Sequence, residues 1–84
     1  MLRNMDATSP KSLDLSAIVW RQPDGSPVAC REKLKVLTEN LEEIRQCCQD
    51  ALEDAVLMGC EEGQVREVFE AIVRSIHNPY AKGD

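Results

Sequence analysis

The stretch PVACREKLKVLTENLEEIRQCCQDALEDAVLM, residues 27–58, decides how this chain folds. It contains no internal Pro or Gly. Its apolar or small residues Cys30, Leu34, Leu37, Leu41, Ile44, Cys48, Ala51, Ala55 and Met58 follow one another at alternating intervals of four and three. That pattern is an unbroken heptad seam, the signature of a helix whose one face seeks a partner. Leu52 and Val56 widen the seam in its second half, as a face covering more than one neighbour requires. Ser26 offers an N-cap oxygen and Pro27 tolerates the first helical position, where no amide hydrogen is needed. Gly59 follows as the natural left-handed stop. A helix over about 27–58 would be roughly 48 Å long at 1.5 Å per residue, long for a chain of 84 residues.

Downstream, Val65, Phe69, Ile72 and Ile76 repeat the same spacing, broadened by Val68 and Val73, and predict a shorter helix over about 61–78. Glu61 and Glu62 suit the positive end of its dipole, and Asn78-Pro79 ends it. The link through Met58-Gly59-Cys60 is so short that the helices must be antiparallel neighbours, which gives a helical hairpin. Upstream, residues 1–12 mix polar residues and Pro without period and read as a flexible tail. Leu13, Leu15 and Ala17 alternate with polar residues, and Ile18-Val19-Trp20 favours an extended backbone, so a short extended segment is expected around residues 18–21. Gln22-Pro23-Asp24-Gly25 is a turn. The expected architecture is all-α: a hairpin domain over residues 13–84 with a short extended N-terminal segment.

The two helices are unequal. Folding the shorter one back sets Ala55 near Val68, Leu52 near Ile72 and Cys48 near Ile76, and covers the long helix only back to about Ile44. Leu34, Leu37 and Leu41 are left over, and leaving them in water would forgo roughly 1.5–3 kcal/mol each. Either the segment from Leu13 to Trp20 folds over them, or a second chain does. Charge favours a second copy. Arg31, Lys33 and Lys35 outweigh Glu32 at the start of the long helix, whereas Glu39, Glu42, Glu43, Asp50, Glu53 and Asp54 outweigh Arg45 further on. This order opposes the helix dipole, and Glu39 repels Glu43 one turn away. An antiparallel pair sets each basic half against an acidic half. The expectation is a homodimer forming an antiparallel four-helix bundle, with Leu34, Leu37, Leu41, Ile44 and Trp20 at the interface. A monomer capped by its own N-terminal segment and a complex with another protein are the alternatives.

Composition narrows the function classes. With a net charge of −5, the chain is a poor match for a phosphate backbone, so no nucleic-acid partner is expected. No apolar run exceeds four residues, so no membrane span is expected, and the N-terminus lacks a secretory h-region. The hydrophobic fraction of 43% is too high for a wholly disordered chain. A soluble, acidic, cytoplasmic helical protein is the expectation.

The chemistry-bearing residues are sparse. Cys30 and Cys47 lie about 25 Å apart on one helix, and Cys48 and Cys60 about 18 Å. No single-chain tetrahedral metal site, and no intrachain disulfide of Cys30 with Cys47 or Cys48, fits those separations. Vicinal Cys47 and Cys48 point to different parts of a helix. Cys30 and Cys48 read first as small core residues, and Cys60 as an accessible thiol in the turn. Glu42-Glu43, Glu53-Asp54 and Glu61-Glu62 read as solvated pairs. A di-metal carboxylate bundle needs inward Glu-x-x-His motifs, and His77 is preceded three residues earlier by Arg74. No catalytic grouping, cofactor motif or phosphate loop is present in the sequence. Trp20 is more simply packed on the long helix than an exposed anchor. The functional expectation is a non-catalytic interaction module acting as a homodimer through its long helix. The alternative is a metal- or redox-responsive protein in which Cys30 of one chain meets Cys48 of another.

Overall fold

In the computed structural model, residues 13–80 are described; the expected tail at residues 1–12 lies outside them. Helix α1 spans Arg31–Leu57 and helix α2 spans Glu62–Ser75, preceded by a 3-10 turn at Leu15–Ala17. The described residues contain two α-helices and no strand, as a helical hairpin requires. The chain divides into two compact units, residues 1–43 and 44–84, with α1 running through the boundary.

In the first unit, Asp14 caps the 3-10 turn, its carboxylate accepting from the backbone N–H and hydroxyl of Ser16 at 3.0 and 2.7 Å. Residues 20–28 form a narrow loop. Val28 N–H donates to the Trp20 carbonyl (2.9 Å), Gln22 N–H to the Ser26 carbonyl (2.8 Å), and Gly25 N–H closes the turn on Gln22 (2.8 Å). Arg21 and Pro27 face each other as an isolated antiparallel bridge. The expected extended stretch near Ile18–Arg21 is therefore one arm of a hairpin-like loop rather than a strand of a sheet.

This loop corrects the expected start of the long helix. Ser26 does not cap it. Its hydroxyl donates to Asp24 at 2.6 Å and its N–H to the same oxygen at 2.9 Å, while its carbonyl is taken by Gln22. A Ser committed to a turn cannot also serve a helix end. The helix begins four residues later, where the Cys30 carbonyl accepts from Leu34 N–H at 3.0 Å. Leu15 is buried, with 7% of its surface exposed, and Ile18, Trp20 and Val28 are half-buried. Leu34, Leu37 and Leu41 are half-buried in the same unit. Val28 borders a patch with Val36 and Leu37, so the N-terminal segment approaches the start of α1.

In the second unit, α1 stops where Gly59 permits it. Gly59 has φ +99. Its N–H donates to the Val56 carbonyl (3.0 Å), and Cys60 N–H reaches back to Ala55 (2.9 Å), the paired bonds of a Schellman ending. Glu61 then caps α2, its two carboxylate oxygens accepting from Gly63 and Gln64 N–H, each at 2.8 Å. It acts one position earlier than a first-turn dipole partner. Helix α2 ends at Ser75, not 78: Pro79 disfavours helical backbone at Asn78, and its ring would crowd the carbonyl four residues back. Ile76 is extended (φ −80, ψ 150). Val65 is buried at 7% exposure, with Leu52, Ala55 and Phe69 half-buried. These four side chains are the hairpin's core.

Candidate interaction surface

Two buried side chains, Leu15 and Val65, are all that the described residues provide. The apolar stripes of the second unit therefore remain largely open. On α1, Ile44, Cys47, Cys48 and Ala51 line one wall of a groove of ≈ 350 Å³; on α2, Phe69, Ile72, Val73 and Ile76 line the other. The helical period places these residues together: positions three and four apart share a face. The exposed fractions are large, 54% for Ile44, 56% for Ile72 and 70% for Ile76. Contiguous apolar surface of this kind marks a site of association in small proteins.

The polar residues stand away from the groove. Gln46 donates to Asp50 (2.9 Å) and Gln49 to Glu53 (2.7 Å) along the opposite side of α1. On α2, Arg66 pairs with Glu62 at 2.9 Å. Arg66 also borders, with Leu52 and Phe69, the cleft on the other side of the hairpin. Cys48 borders both this cleft, with Phe69, and the groove, with Ile72 and Ile76.

Of the expected interface residues, Leu34, Leu37, Leu41 and Trp20 are half-buried in the first unit, and Ile44 opens onto the groove. Leu37 borders a second, shallower apolar patch with Val28 and Val36, flanked by Glu32 and Lys33. Lys35 and Glu39 approach at 4.0 Å along α1, so part of the charge contrast along this helix is met locally. Phe69, Ile72 and Ile76 were visible in the sequence as the second stripe; Phe69 is half-buried as cover, whereas Ile72 and Ile76 are left as surface.

Cys30 and Cys48, expected in the core, are exposed; Cys47 is exposed too, and Cys60 is exposed in the turn as expected. Cys30 precedes the helix and so falls off the seam. There the backbone N–H groups of Lys33 and Glu32 hold its thiol below the ordinary value, as a helix N-terminus does for a developing thiolate. Cys48 lies at the groove, where no side chain closes over it. Among the described residues, no three His, Cys, Asp or Glu side chains are gathered to hold a metal ion, and no helix is long and apolar enough to cross a membrane. The paired carboxylates of residues 42–43, 53–54 and 61–62 are exposed. No protein-family model, curated protein or solved structure matches the chain.

Proposed function

We propose that this chain is a small, non-catalytic interaction module that acts as a homodimer, the open face of one hairpin closing on the same face of a second copy to make a four-helix bundle. The observation that carries this reading is the groove between Ile44–Ala51 and Phe69–Ile76, apolar along both walls and uncovered. A body that fills it must present two apolar stripes at the spacing of two packed helices. The hairpin is itself such a body, and an isologous contact requires only that one patch complement itself. Four helices are also the smallest arrangement in which both stripes of each hairpin face inward. The contact lies on the second half of α1 and on α2. It is displaced from the Leu34–Leu41 seam, whose side chains are half-buried in the first unit. As a cytoplasmic adaptor the dimer would present its outer faces, including the Val28–Val36–Leu37 patch, to a further protein.

Sedimentation equilibrium at micromolar concentration tests the reading. The expected species has twice the 9.4 kDa chain mass. Ile72→Lys, at a side chain already 56% exposed, leaves the helical circular dichroism intact and yields the single-chain mass. A wild-type protein of 9.4 kDa at every concentration overturns it.

A further inference from the structure

Helix α1 has two starts written into its sequence, one turn apart, and the structure uses the one with the poorer cap. Ser26-Pro27 joins a preferred N-cap to the first helical position, where Pro loses no hydrogen bond. The start in use falls at Cys30, a residue type outside the preferred caps, whose thiol accepts from the backbone N–H groups of Lys33 and Glu32. We infer that the start of α1 is a two-position device: an Asp24 side-chain oxygen is the positioning group that holds Ser26 in the turn, and removing that oxygen moves the helix start from Cys30 back to Ser26. The device lies within the first unit and does not depend on how the chain associates.

The two positions exclude each other group by group. In the observed one, the Ser26 hydroxyl donates to Asp24 at 2.6 Å and accepts from the Gln22 side-chain amide at 2.9 Å. The Ser26 carbonyl accepts from Gln22 N–H, and Val28 N–H donates to the Trp20 carbonyl. A helix capped by Ser26 claims the same groups. Its hydroxyl oxygen would accept from the N–H of Val28 or Ala29, and its carbonyl from the N–H of Cys30.

The intervening residues do not oppose the earlier start. Val28-Ala29-Cys30 holds neither Gly nor a second Pro, so an added turn would run straight into Arg31–Leu57. It would pair the amides of Arg31, Glu32 and Lys33 with the carbonyls of Pro27, Val28 and Ala29, groups that a helix end otherwise leaves without intrahelical partners. What holds the later start is Asp24, one oxygen of which takes both the hydroxyl and the N–H of Ser26. Gly25, at φ +91, supplies the left-handed residue between them. Releasing this turn also parts Val28 from Trp20, and so changes what the first unit presents beside Val36 and Leu37.

The experiment reads backbone carbon chemical shifts of residues 26–31 in the full chain, with the shifts of α2 showing that each variant is folded. The wild type is expected to give non-helical values at residues 27–30. Asp24→Ala is expected to make them helical, a gain of one turn, about four residues. Asp24→Asn keeps the accepting oxygen and is expected to match the wild type. Asp24→Ala/Ser26→Ala loosens the turn equally but also removes the earlier cap, and is expected not to gain the helical turn. The double variant thus separates capping by Ser26 from simple loss of the loop. Residues 27–30 that stay non-helical in Asp24→Ala overturn the inference. So does a new helical turn in Asp24→Asn or in the double variant.

Discussion

At Gly59 the backbone holds φ +99, and a Cβ built there would meet nothing within 4 Å. The penalty for a side chain is therefore the left-handed backbone alone, without a clash. Gly59→Ala is expected to lower stability by about 1–2 kcal/mol and leave the hairpin's geometry unchanged, which urea midpoints with equal slopes would show. Two residues on, the amide hydrogens of Gly63 and Gln64 hold the Glu61 carboxyl below its ordinary value. A carboxyl lowered on folding stabilises the native state above its unfolded pKa, and that contribution is lost as pH falls through the folded value. Acidification below the unperturbed 4.5 should thus release the first turn of α2. Protection of the Gly63 and Gln64 amides, measured as exchange relative to the intrinsic rate at each pH, will fall on acidification in the wild type, and in Glu61→Gln this pH step will be absent.

Each unit rests on one buried apolar side chain, and the elements around it depend on that residue. Leu15→Ala should cost about 2–5 kcal/mol and Val65→Ala about 1–3 kcal/mol, since both remove packed methyl groups. Ile44→Ala, at a side chain 54% exposed, should cost the hairpin far less; chemical denaturation of the three variants at a concentration where the chain is monomeric tests the order. The α-helices themselves were legible from the sequence because their causes are local: a heptad seam without Pro or Gly, a glycine at the stop, a proline beyond the second helix. The start of α1 was not, because Ser26-Pro27 is a good cap in isolation and Asp24 captures the Ser26 side chain. That competition lies in hydroxyl geometry, which spacing does not encode. The seam also fixed which residues are apolar without ranking their exposure. Leu34, Leu37 and Leu41 are half-buried in the first unit, where the alternating pattern of residues 13–17 is too short to announce a neighbour. Ile72 and Ile76, expected to be covering residues, are open surface at 56% and 70% exposure.

Charge decides how the whole molecule associates. In the second unit, Asp50, Glu53, Asp54, Glu61, Glu62, Glu67 and Glu70 outnumber Arg45, Arg66 and Arg74, so two copies meeting through apolar faces repel each other at longer range. Screening is effective beyond about 10 Å at 0.1 M salt. Dimerisation should therefore tighten as sodium chloride is raised, in sedimentation or dilution calorimetry. Weakening with salt is the behaviour of a basic partner in the same groove. The two-unit construction has a further consequence for observing this protein. Its one tryptophan, Trp20, lies half-buried in the first unit, whereas the dichroism of α2 comes wholly from the second. Emission therefore reports on the first unit alone, whereas ellipticity reports on both, since α1 runs through the boundary. If the two units melt separately, the two signals will trace two transitions; if α1 couples them, the curves will superimpose.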